Sequence, residues 1–377
     1  MKNLSKETEI FFGGFEAEII RDKIANRKYL IVTSNYFKNS GLINRISKAI
    51  GYEPLSVISD VPSCPSIDYL NSKKNQLQNP VPEVIVAIGG GSCIDTAKVL
   101  ARLAESSLGE NVESILASQT MFKEFKSTAI IAIPTTTGTG SEVTPFATVW
   151  DYNKGNKYSI AGEDLKPEWA LIFPSLSLSA PKSVLIASSL DALSHAFDSI
   201  WNKNSTTNSL RYSYEALASL IPTLAGMSFD TPTNLEIENL ASGSLSAGLA
   251  IAITQTSLSH SISYPLTYKY RLAHGLASSF SLPEIINYIA KHDTKIFDRI
   301  TGFGGSNNNI NVQLFFEKLF KKSKIYETFL EKIPDKNSVQ ELIPNMTHPD
   351  RSKNFMFELT DLELRDILAR SLSKIYD

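Results

Sequence analysis

Four side chains in the second half of the chain have the types and spacing of a metal site. Asp191 and His195 stand four residues apart in LDALSHAFD, so a helix would place both on one face, one turn apart. His260 and His274 follow, and with His195 they are three of only five histidines in the chain. One carboxylate and three imidazoles form a ligand set for a divalent cation. The pattern predicts a metal site, with ordinary surface or core histidines as the alternative.

The segment that carries His260 has the composition of a buried helix. ASGSLSAGLAIAITQTSLSHSISYP is rich in Ala, Ser, Gly and Leu and contains no charged residue, as in a helix packed against other helices. A buried imidazole there needs a partner. His274 stands where a helical pattern resumes, in AHGLASSF.

Two donor-rich loops follow apolar strands in the first half. VIVAIGGGSCIDTAK runs from a strand through Gly89–Gly91 into a helix, whose N-terminal N–H groups and dipole favour an anion. PTTTGTGSEVT, at 134–144, follows the next apolar strand. In open α/β sheets ligands bind at the carboxyl ends of the strands, so the two loops together predict a nucleotide diphosphate. The glycine cluster is neither a G-x-G-x-x-G fingerprint nor a Walker loop, and turns without a ligand are the alternative.

Length and composition indicate a globular chain with two hydrophobic cores. The chain has 377 residues, of which 42% are hydrophobic and 10% aromatic. A net charge of −2 without a basic run argues against nucleic-acid binding. Two cysteines, Cys64 and Cys93, give no disulfide framework. With no signal core and no apolar stretch of membrane length, we expect a cytoplasmic protein that does not enter a membrane.

The order of the predicted elements indicates the fold. Apolar strands in KYLIVTS, LSVISD, EVIVAI and STAIIAIP are separated by helical patterns, which predicts a parallel sheet covered on both faces. From about Leu178 only helical patterns follow. We predict a doubly wound, Rossmann-like α/β domain over residues 1–177 and an all-helical domain over 178–377.

Five motifs in collinear order resemble the iron-dependent (group III) alcohol dehydrogenase superfamily. They are GGGSCIDTAK, AIPTTTGTGSEVT, Lys157 in NKYSI, LDALSHAFD and HSISYPLTYKYRLAHG. The resemblance extends over nearly the whole chain. It implies a dehydroquinate synthase-like architecture with a cleft between two domains, and assembly into a homodimer or larger homo-oligomer. It also implies Fe²⁺ as the usual metal, although Zn²⁺ suits the same ligands, which are Asp191, His195, His260 and His274.

The same resemblance implies hydride transfer between NADH or NADPH and a small aldehyde or alcohol. Its implied cofactor-binding residues are Ser34, Gly89, Gly90, Gly91, Ser92, Asp95, Thr135, Thr136, Thr139, Ser141, Thr144 and Lys157. NAD-specific members tend to carry an aspartate where this chain has Ser34. Because an aspartate would repel a 2′-phosphate, its absence permits NADPH.

A tyrosine distinguishes this chain from many family members. They carry a histidine four residues after the third ligand, whereas this chain has Tyr264, whose hydroxyl is a candidate catalytic hydrogen-bond donor. The surrounding SYPLTYKY resembles the branch that reduces phosphonoacetaldehyde to 2-hydroxyethylphosphonate. Candidate phosphonate contacts are Thr254, Thr267, Lys269 and Arg271, with solvated loop charges as the alternative for the two cations.

Two other functions are compatible with the sequence. One is a broad-range or glycol-type alcohol dehydrogenase with the same metal and cofactor but an apolar substrate pocket. The other is a sugar-phosphate lyase or synthase relative, which uses NAD and metal without net oxidation. Indifference to the removal of both Lys269 and Arg271 would indicate the first, and a sustained change in nicotinamide absorbance with substrate would exclude the second.

Overall fold

The computed structural model describes residues 7–78, 80–105, 111–117, 128–301, 311–333, 335–346 and 352–376. The chain divides into two compact units. The first comprises Met1–Thr136 and Ser141–Ala180, and the second comprises Thr137–Gly140 and Pro181–Asp377. The sequence predicts a single boundary, between residues 177 and 178, whereas the structure divides the chain after Ala180 and also places the short loop 137–140 in the second unit.

The first unit is built on a parallel sheet. In the described residues this sheet has six strands in the order β1-β8-β5-β4-β2-β3, and a separate antiparallel pair is formed by β6 and β7. The strands are β1 (Glu9–Phe12), β2 (Tyr29–Thr33), β3 (Val57–Ile58), β4 (Val84–Gly89), β5 (Ala129–Pro134), β6 (Phe146–Asp151), β7 (Asn156–Ala161) and β8 (Trp169–Ile172). Its helices are α1 (Ala17–Ile24), α2 (Asn35–Asn39), α3 (Leu42–Ile50), α4 (Ile67–Lys73), α5 (Gly91–Glu105) and α6 (Val112–Ala117).

Continuous apolar strands explain why both faces of this sheet are covered. Every residue of β4 and β5 is buried. Ile85 and Ala87 of β4 pack into one hydrophobic cluster, whereas Val84 and Val86 pack into the other, since successive side chains point to opposite faces. The predicted α/β sheet is therefore confirmed. The edge pair β1 and β8 and the β6-β7 hairpin are elements that the sequence patterns did not predict.

The described residues of the second unit fold into helices. They are α7 (Lys182–Ile200), α8 (Thr207–Gly226), α9 (Asn234–Thr254), α10 (Leu258–Tyr270), α11 (His274–Ser279), α12 (Leu282–His292), α13 (Thr294–Thr301), α14 (Val312–Ser323), α15 (Ile325–Lys332), α16 (Lys336–Gln340) and α17 (Asp361–Tyr376). One hydrophobic core extends through this unit from Leu185 to Ile375. None of the helices that the structure describes combines the length and apolar character needed to span a membrane.

Candidate metal centre and cofactor loops

Helix α7 carries the first two predicted ligands in its buried centre. Every residue from Ser188 to Ile200 is buried, so the polar stripe of this helix faces the interior. Asp191 and His195 are each 5% exposed. With His260 of α10, they present ligand atoms that all lie within 4.8 Å of one another. The i, i+4 spacing thus produces the pair that the sequence predicts.

His274, the first residue of α11, completes the cluster. Its Nε2 lies 3.8 Å from Asp191 Oδ1, and its ring centroid lies 5.3 Å from that of His260. The following residue is Gly275, where a Cβ would overlap the carbonyl oxygen of Ala187. Glycine therefore permits the close approach of α11 to α7. The structure brings all four predicted ligands together.

Hydrogen bonds orient the two stacked imidazoles of this cluster. The rings of His195 and His260 lie 4.6 Å apart at 10°. His195 Nδ1 donates to the carbonyl oxygen of Gly138 (3.1 Å). A Cβ at Gly138 would overlap the backbone of Ser188, so glycine permits this close approach. His260 Nδ1 donates to Asp198 Oδ2 (2.8 Å). Both Nε2 atoms are therefore the nitrogens available to a cation.

The donor set fits a divalent cation. His260 Nε2 is buried, has no hydrogen-bond partner in the described part of the chain, and lies 3.5 Å from Asp191 Oδ1. An unpaired buried donor or acceptor is costly, and a cation between the carboxylate and the imidazoles would satisfy it. One carboxylate and three nitrogens suit Fe²⁺ or Zn²⁺.

The charges in this cluster depend on one another. Burial raises the pKa of Asp191, but the neighbouring His195, His274 and His260 more than offset this and hold it below its usual range. Burial lowers the pKa of His195 to about 4, so its imidazole is neutral at neutral pH. Burial also opposes charge on His260, yet the carboxylates of Asp191 and Asp198 hold its pKa above the usual range. The site consequently carries an ionised carboxylate at neutral pH.

The starts of the two predicted donor-rich loops, at residues 89–91 and 134–136, lie side by side within the first unit. Strands β4 and β5 pair with Gly89 opposite Pro134, and Thr135 N donates to Gly89 O (3.0 Å). A Cβ at Gly90 would lie 3.2 Å from the Thr136 side chain. The loops therefore meet at the carboxyl end of the sheet, where ligands bind in such folds.

A buried lysine holds the second loop, and sequence reasoning missed it. Lys98 of α5 is 0% exposed, and its ammonium donates to Ser141 Oγ (3.0 Å), Thr144 O (2.9 Å), Thr144 Oγ1 (3.3 Å) and Phe146 O (2.8 Å). One turn earlier, Asp95 accepts from the Ser141 hydroxyl and from Thr148 N. Asp95, Ser141 and Thr144, all predicted cofactor contacts, thus also hold the loop together. Lys98 is the last residue of the motif GGGSCIDTAK, and its place in that motif is the sequence feature that could have indicated its role.

The remaining predicted cofactor residues occupy several elements. Ser34 follows β2 and pairs with Asp60 through an isolated bridge. The Ser92 hydroxyl donates to Ser63 O. Lys157 lies on β7, and Thr139 belongs to the loop that joins the second unit.

Two family models match the chain over most of its length. Residues 7–174 match the model described as iron-containing alcohol dehydrogenase, and residues 185–322 match the C-terminal model of the Fe-containing alcohol dehydrogenase family. The chain belongs to the iron-containing alcohol dehydrogenase family. The resemblance inferred from the five motifs is confirmed.

Individual relatives include reductases and dehydrogenases of small molecules. The chain is 34% identical over 239 residues to a phosphonoacetaldehyde reductase of Streptomyces viridochromogenes, covering 63% of this chain and 60% of that one. It is 26% identical to a 1-propanol dehydrogenase of Citrobacter freundii, covering 92% of both. It shares the fold of a sulfoacetaldehyde reductase from Bifidobacterium kashiwanohense solved with NAD⁺, with a TM-score of 0.86, 24% identity and coverage of 98% of each chain.

Tyr264, the predicted catalytic hydrogen-bond donor, lies on the same helix as His260. It lies one turn after His260 on α10, and its ring stacks on His274 at 6.2 Å and 11°. Tyr264 is half-buried. The structure therefore places a phenol beside the ligand cluster.

The four predicted substrate contacts have different environments. The Thr254 hydroxyl donates to Gln255 O (2.8 Å), so it caps the end of α9. Thr267 is buried, and its Oγ1 has no hydrogen-bond partner among the described residues. Lys269 and Arg271 are exposed, with Lys269 4.0 Å from Glu341 and Arg271 over the Tyr268 ring at 5.8 Å. Lys269 and Arg271 are therefore near the predicted ligands in sequence, but they are exposed whereas Asp191, His195 and His260 are buried.

Proposed function

We propose that this member of the iron-containing alcohol dehydrogenase family reduces a small aldehyde with NADH or NADPH at a divalent metal, Fe²⁺ or Zn²⁺. The observation that carries the proposal is the convergence of His195, His260 and His274 on the carboxylate of Asp191, with a buried His260 Nε2 that has no hydrogen-bond partner among the described residues. The two adjacent loops after β4 and β5 support the cofactor assignment.

The ligands and Tyr264 have separate roles in the proposed reduction. When bound, the metal supplies Lewis acidity toward the aldehyde oxygen, and the nicotinamide supplies the hydride. Asp191 neutralises only one of two positive charges, so the site retains positive charge toward the developing oxyanion. In this proposal the Tyr264 hydroxyl donates a hydrogen bond to that oxygen, and the stacking of its ring on His274 supports the role. Each turnover adds one hydride and one proton to the aldehyde, giving the alcohol and NAD(P)⁺.

We propose phosphonoacetaldehyde as the substrate and 2-hydroxyethylphosphonate as the product. The identity to the Streptomyces reductase supports this choice. Tyr264 and Thr267 share one face of α10 with His260, at i+4 and i+7. A phosphonate that accepted a hydrogen bond from the Thr267 hydroxyl would satisfy a buried group that has no hydrogen-bond partner within the described part of the chain. This places the tail recognition on hydroxyls near His260 rather than on Lys269 and Arg271.

A second candidate is a dehydrogenase of simple short alcohols. The 1-propanol dehydrogenase relative aligns over 92% of this chain, and the two cations nearest the ligands in sequence already have partners. Such an enzyme would use the same metal and cofactor and would lack a site for an anionic tail. Propanal is the matched comparison substrate.

Steady-state kinetics with both aldehydes test the assignment. We expect kcat/KM for phosphonoacetaldehyde to exceed that for propanal at least about ten-fold, because hydrogen bonds to a charged group contribute about 1.5–3 kcal/mol. Equal values would contradict it. A sustained change in nicotinamide absorbance would exclude the lyase or synthase alternative, and parallel assays with NADH and NADPH identify the cofactor.

A pair of variants tests the tail contact. Thr267→Val should raise KM for phosphonoacetaldehyde about ten-fold and leave propanal unchanged. The control is Ser263→Ala, because the Ser263 hydroxyl donates to His260 O (2.7 Å) within the same helix. If both variants have the same effect on both aldehydes, Thr267 does not contact the tail.

Homo-oligomeric assembly and a cytoplasmic location stay predictions. Light scattering tests the first, and cell fractionation tests the second.

A further inference from the structure

Asp198 is a buried carboxylate on α7, one turn beyond His195, with 0% of its surface exposed. Its Oδ1 accepts hydrogen bonds from Trp201 Nε1 (2.9 Å) and Ser259 N (3.2 Å). Its Oδ2 accepts from Ser257 N (2.7 Å) and from His260 Nδ1 (2.8 Å). Every one of these contacts is a donor, so the carboxylate is satisfied as an anion.

We infer that Asp198 is the positioning residue of the metal centre, which fixes the tautomer and ring orientation of His260. The inference rests on the proposed metal function. An ionised carboxylate has no proton to donate, so the proton between Asp198 and His260 belongs to Nδ1. In the neutral imidazole that a metal ligand requires, the lone pair is thereby placed on Nε2, the buried atom that has no hydrogen-bond partner among the described residues and lies 3.5 Å from Asp191 Oδ1. Such an acceptor also raises the basicity of the ligating nitrogen.

The backbone around Asp198 makes this orientation rigid. Its contacts with Ser257 N and Ser259 N fix the turn that begins α10, the helix that carries His260. Hydrogen bonds also fix the two residues before this turn: Asn354 Nδ2 donates to Thr256 O (2.9 Å), and Asn202 Nδ2 donates to Gln255 O (3.2 Å). One carboxylate therefore positions both the side chain and the start of its helix.

The stacked partner His195 provides an internal contrast. Its Nδ1 donates to a neutral carbonyl, that of Gly138, rather than to a carboxylate. A charged acceptor forms a stronger hydrogen bond than a neutral one. We therefore assign to Asp198 a larger effect on metal affinity than a backbone carbonyl has.

The affinity for Zn²⁺, measured by competition with a chelating indicator, tests this role without requiring activity. In Asp198→Asn the amide NH₂ replaces one acceptor oxygen and faces groups that are themselves hydrogen-bond donors, so the contacts that orient His260 are disturbed. We expect this variant to bind Zn²⁺ about 10–100-fold more weakly than the wild type does. The matched control is Glu284→Gln. Glu284 is also buried in the helical unit but pairs with Lys374 (2.6 Å), so its loss should lower stability and leave Zn²⁺ affinity unchanged.

The outcomes separate the inference from the proposed function. If Asp191→Asn binds Zn²⁺ as tightly as the wild type, the metal centre itself is wrong. If Asp191→Asn is impaired while Asp198→Asn matches Glu284→Gln, the centre stands and the role of Asp198 is wrong. If Asp198→Asn binds Zn²⁺ weakly and Glu284→Gln binds it as tightly as the wild type, the positioning role of Asp198 is supported.

Nitrogen-15 NMR of the wild type covers the case in which Asp198→Asn fails to fold. In histidine-labelled, Zn²⁺-loaded protein, His260 should show a protonated Nδ1 that is protected from exchange, and an Nε2 shifted by the metal. His260→Gln identifies its signals. A metal-shifted Nδ1, or an Nε2 that carries the proton, would overturn the inference.

Discussion

Asp198 and Lys98 are fully buried charges of opposite sign, one in each unit. Asp198 accepts hydrogen bonds from backbone N–H groups, an indole and the imidazole of a proposed ligand. Among the described residues, Lys98 donates to hydroxyls and carbonyls of the loop that follows β5 and to the carbonyl of Phe146, the first residue of β6. The helical unit thus uses its buried charge to orient one reactive side chain, whereas the α/β unit uses its charge to shape a backbone.

This contrast predicts different losses. A buried charge contributes through the groups that it satisfies, and its removal leaves those groups unpaired. Without Asp198, the unpaired groups include the Nδ1 of His260, a proposed ligand of the metal. Without Lys98, they are hydroxyl and carbonyl oxygens of Ser141, Thr144 and Phe146. The first loss should appear in metal affinity, and the second in stability and cofactor affinity.

The largest effect on stability is expected for Lys98→Met. Because four oxygen contacts lose their donor, the free energy of unfolding in urea should fall by about 3–5 kcal/mol. The affinity for NADH should fall while Zn²⁺ affinity is kept. Lys182→Met is the control, since Lys182 forms an exposed pair with Asp230 (2.7 Å) and should change stability by less than about 1 kcal/mol. Equal losses in the two variants would show that burial of Lys98 has no special role.

A smaller, pH-dependent effect is expected at Glu142, which lies beside Lys98. Burial raises the pKa of Glu142 to about 7 from the usual 4.5. Between these values the folded state binds more protons than the unfolded state, so stability falls as pH rises from about 5 to about 7. Glu142→Gln should remove this loss, which is at most about 3 kcal/mol. Urea unfolding of both proteins across this range is the measurement, and parallel pH curves would contradict the prediction.

The smallest effect concerns the turn that Asp198 holds. Gln255 has φ 62° and ψ 179°, a conformation that glycine adopts far more readily. Gln255→Gly should therefore stabilise the protein by about 1 kcal/mol, after allowance for the greater freedom of glycine in the unfolded chain. Zn²⁺ affinity should stay unchanged because the Asp198 contacts remain. If Gln255→Gly instead lowers the stability measured by thermal unfolding, the contacts of the Gln255 side chain contribute more to stability than its backbone strain costs.

The sequence predicted the parts of the fold that repeat a pattern. Apolar strands such as β4, the helical second half and the Asp191–His195 pair follow from spacing alone. Strand β1 was not predicted because an edge strand with exposed side chains lacks a continuous apolar run. No periodicity indicates that the loop 137–140 folds with the second unit.

The supporting residues of the site were harder to predict than its ligands. Asp198 and Lys98 act through partners 59 and 43 residues distant in sequence, at Ser257 and Ser141. Lys269 and Arg271 lie near the predicted ligands in sequence, but Lys269 on α10 and Arg271 at its C-terminal cap are exposed and have other partners. Their contact with a phosphonate stays a prediction.

Metal content is the most direct test of the four-ligand centre. Protein purified without air should contain about one Fe or Zn per chain, whereas His195→Ala should contain almost none, because the variant lacks one of the proposed ligands clustered with Asp191 and His260. Elemental analysis of both proteins gives the answer. An equal metal content in the wild type and in His195→Ala would contradict the centre described here.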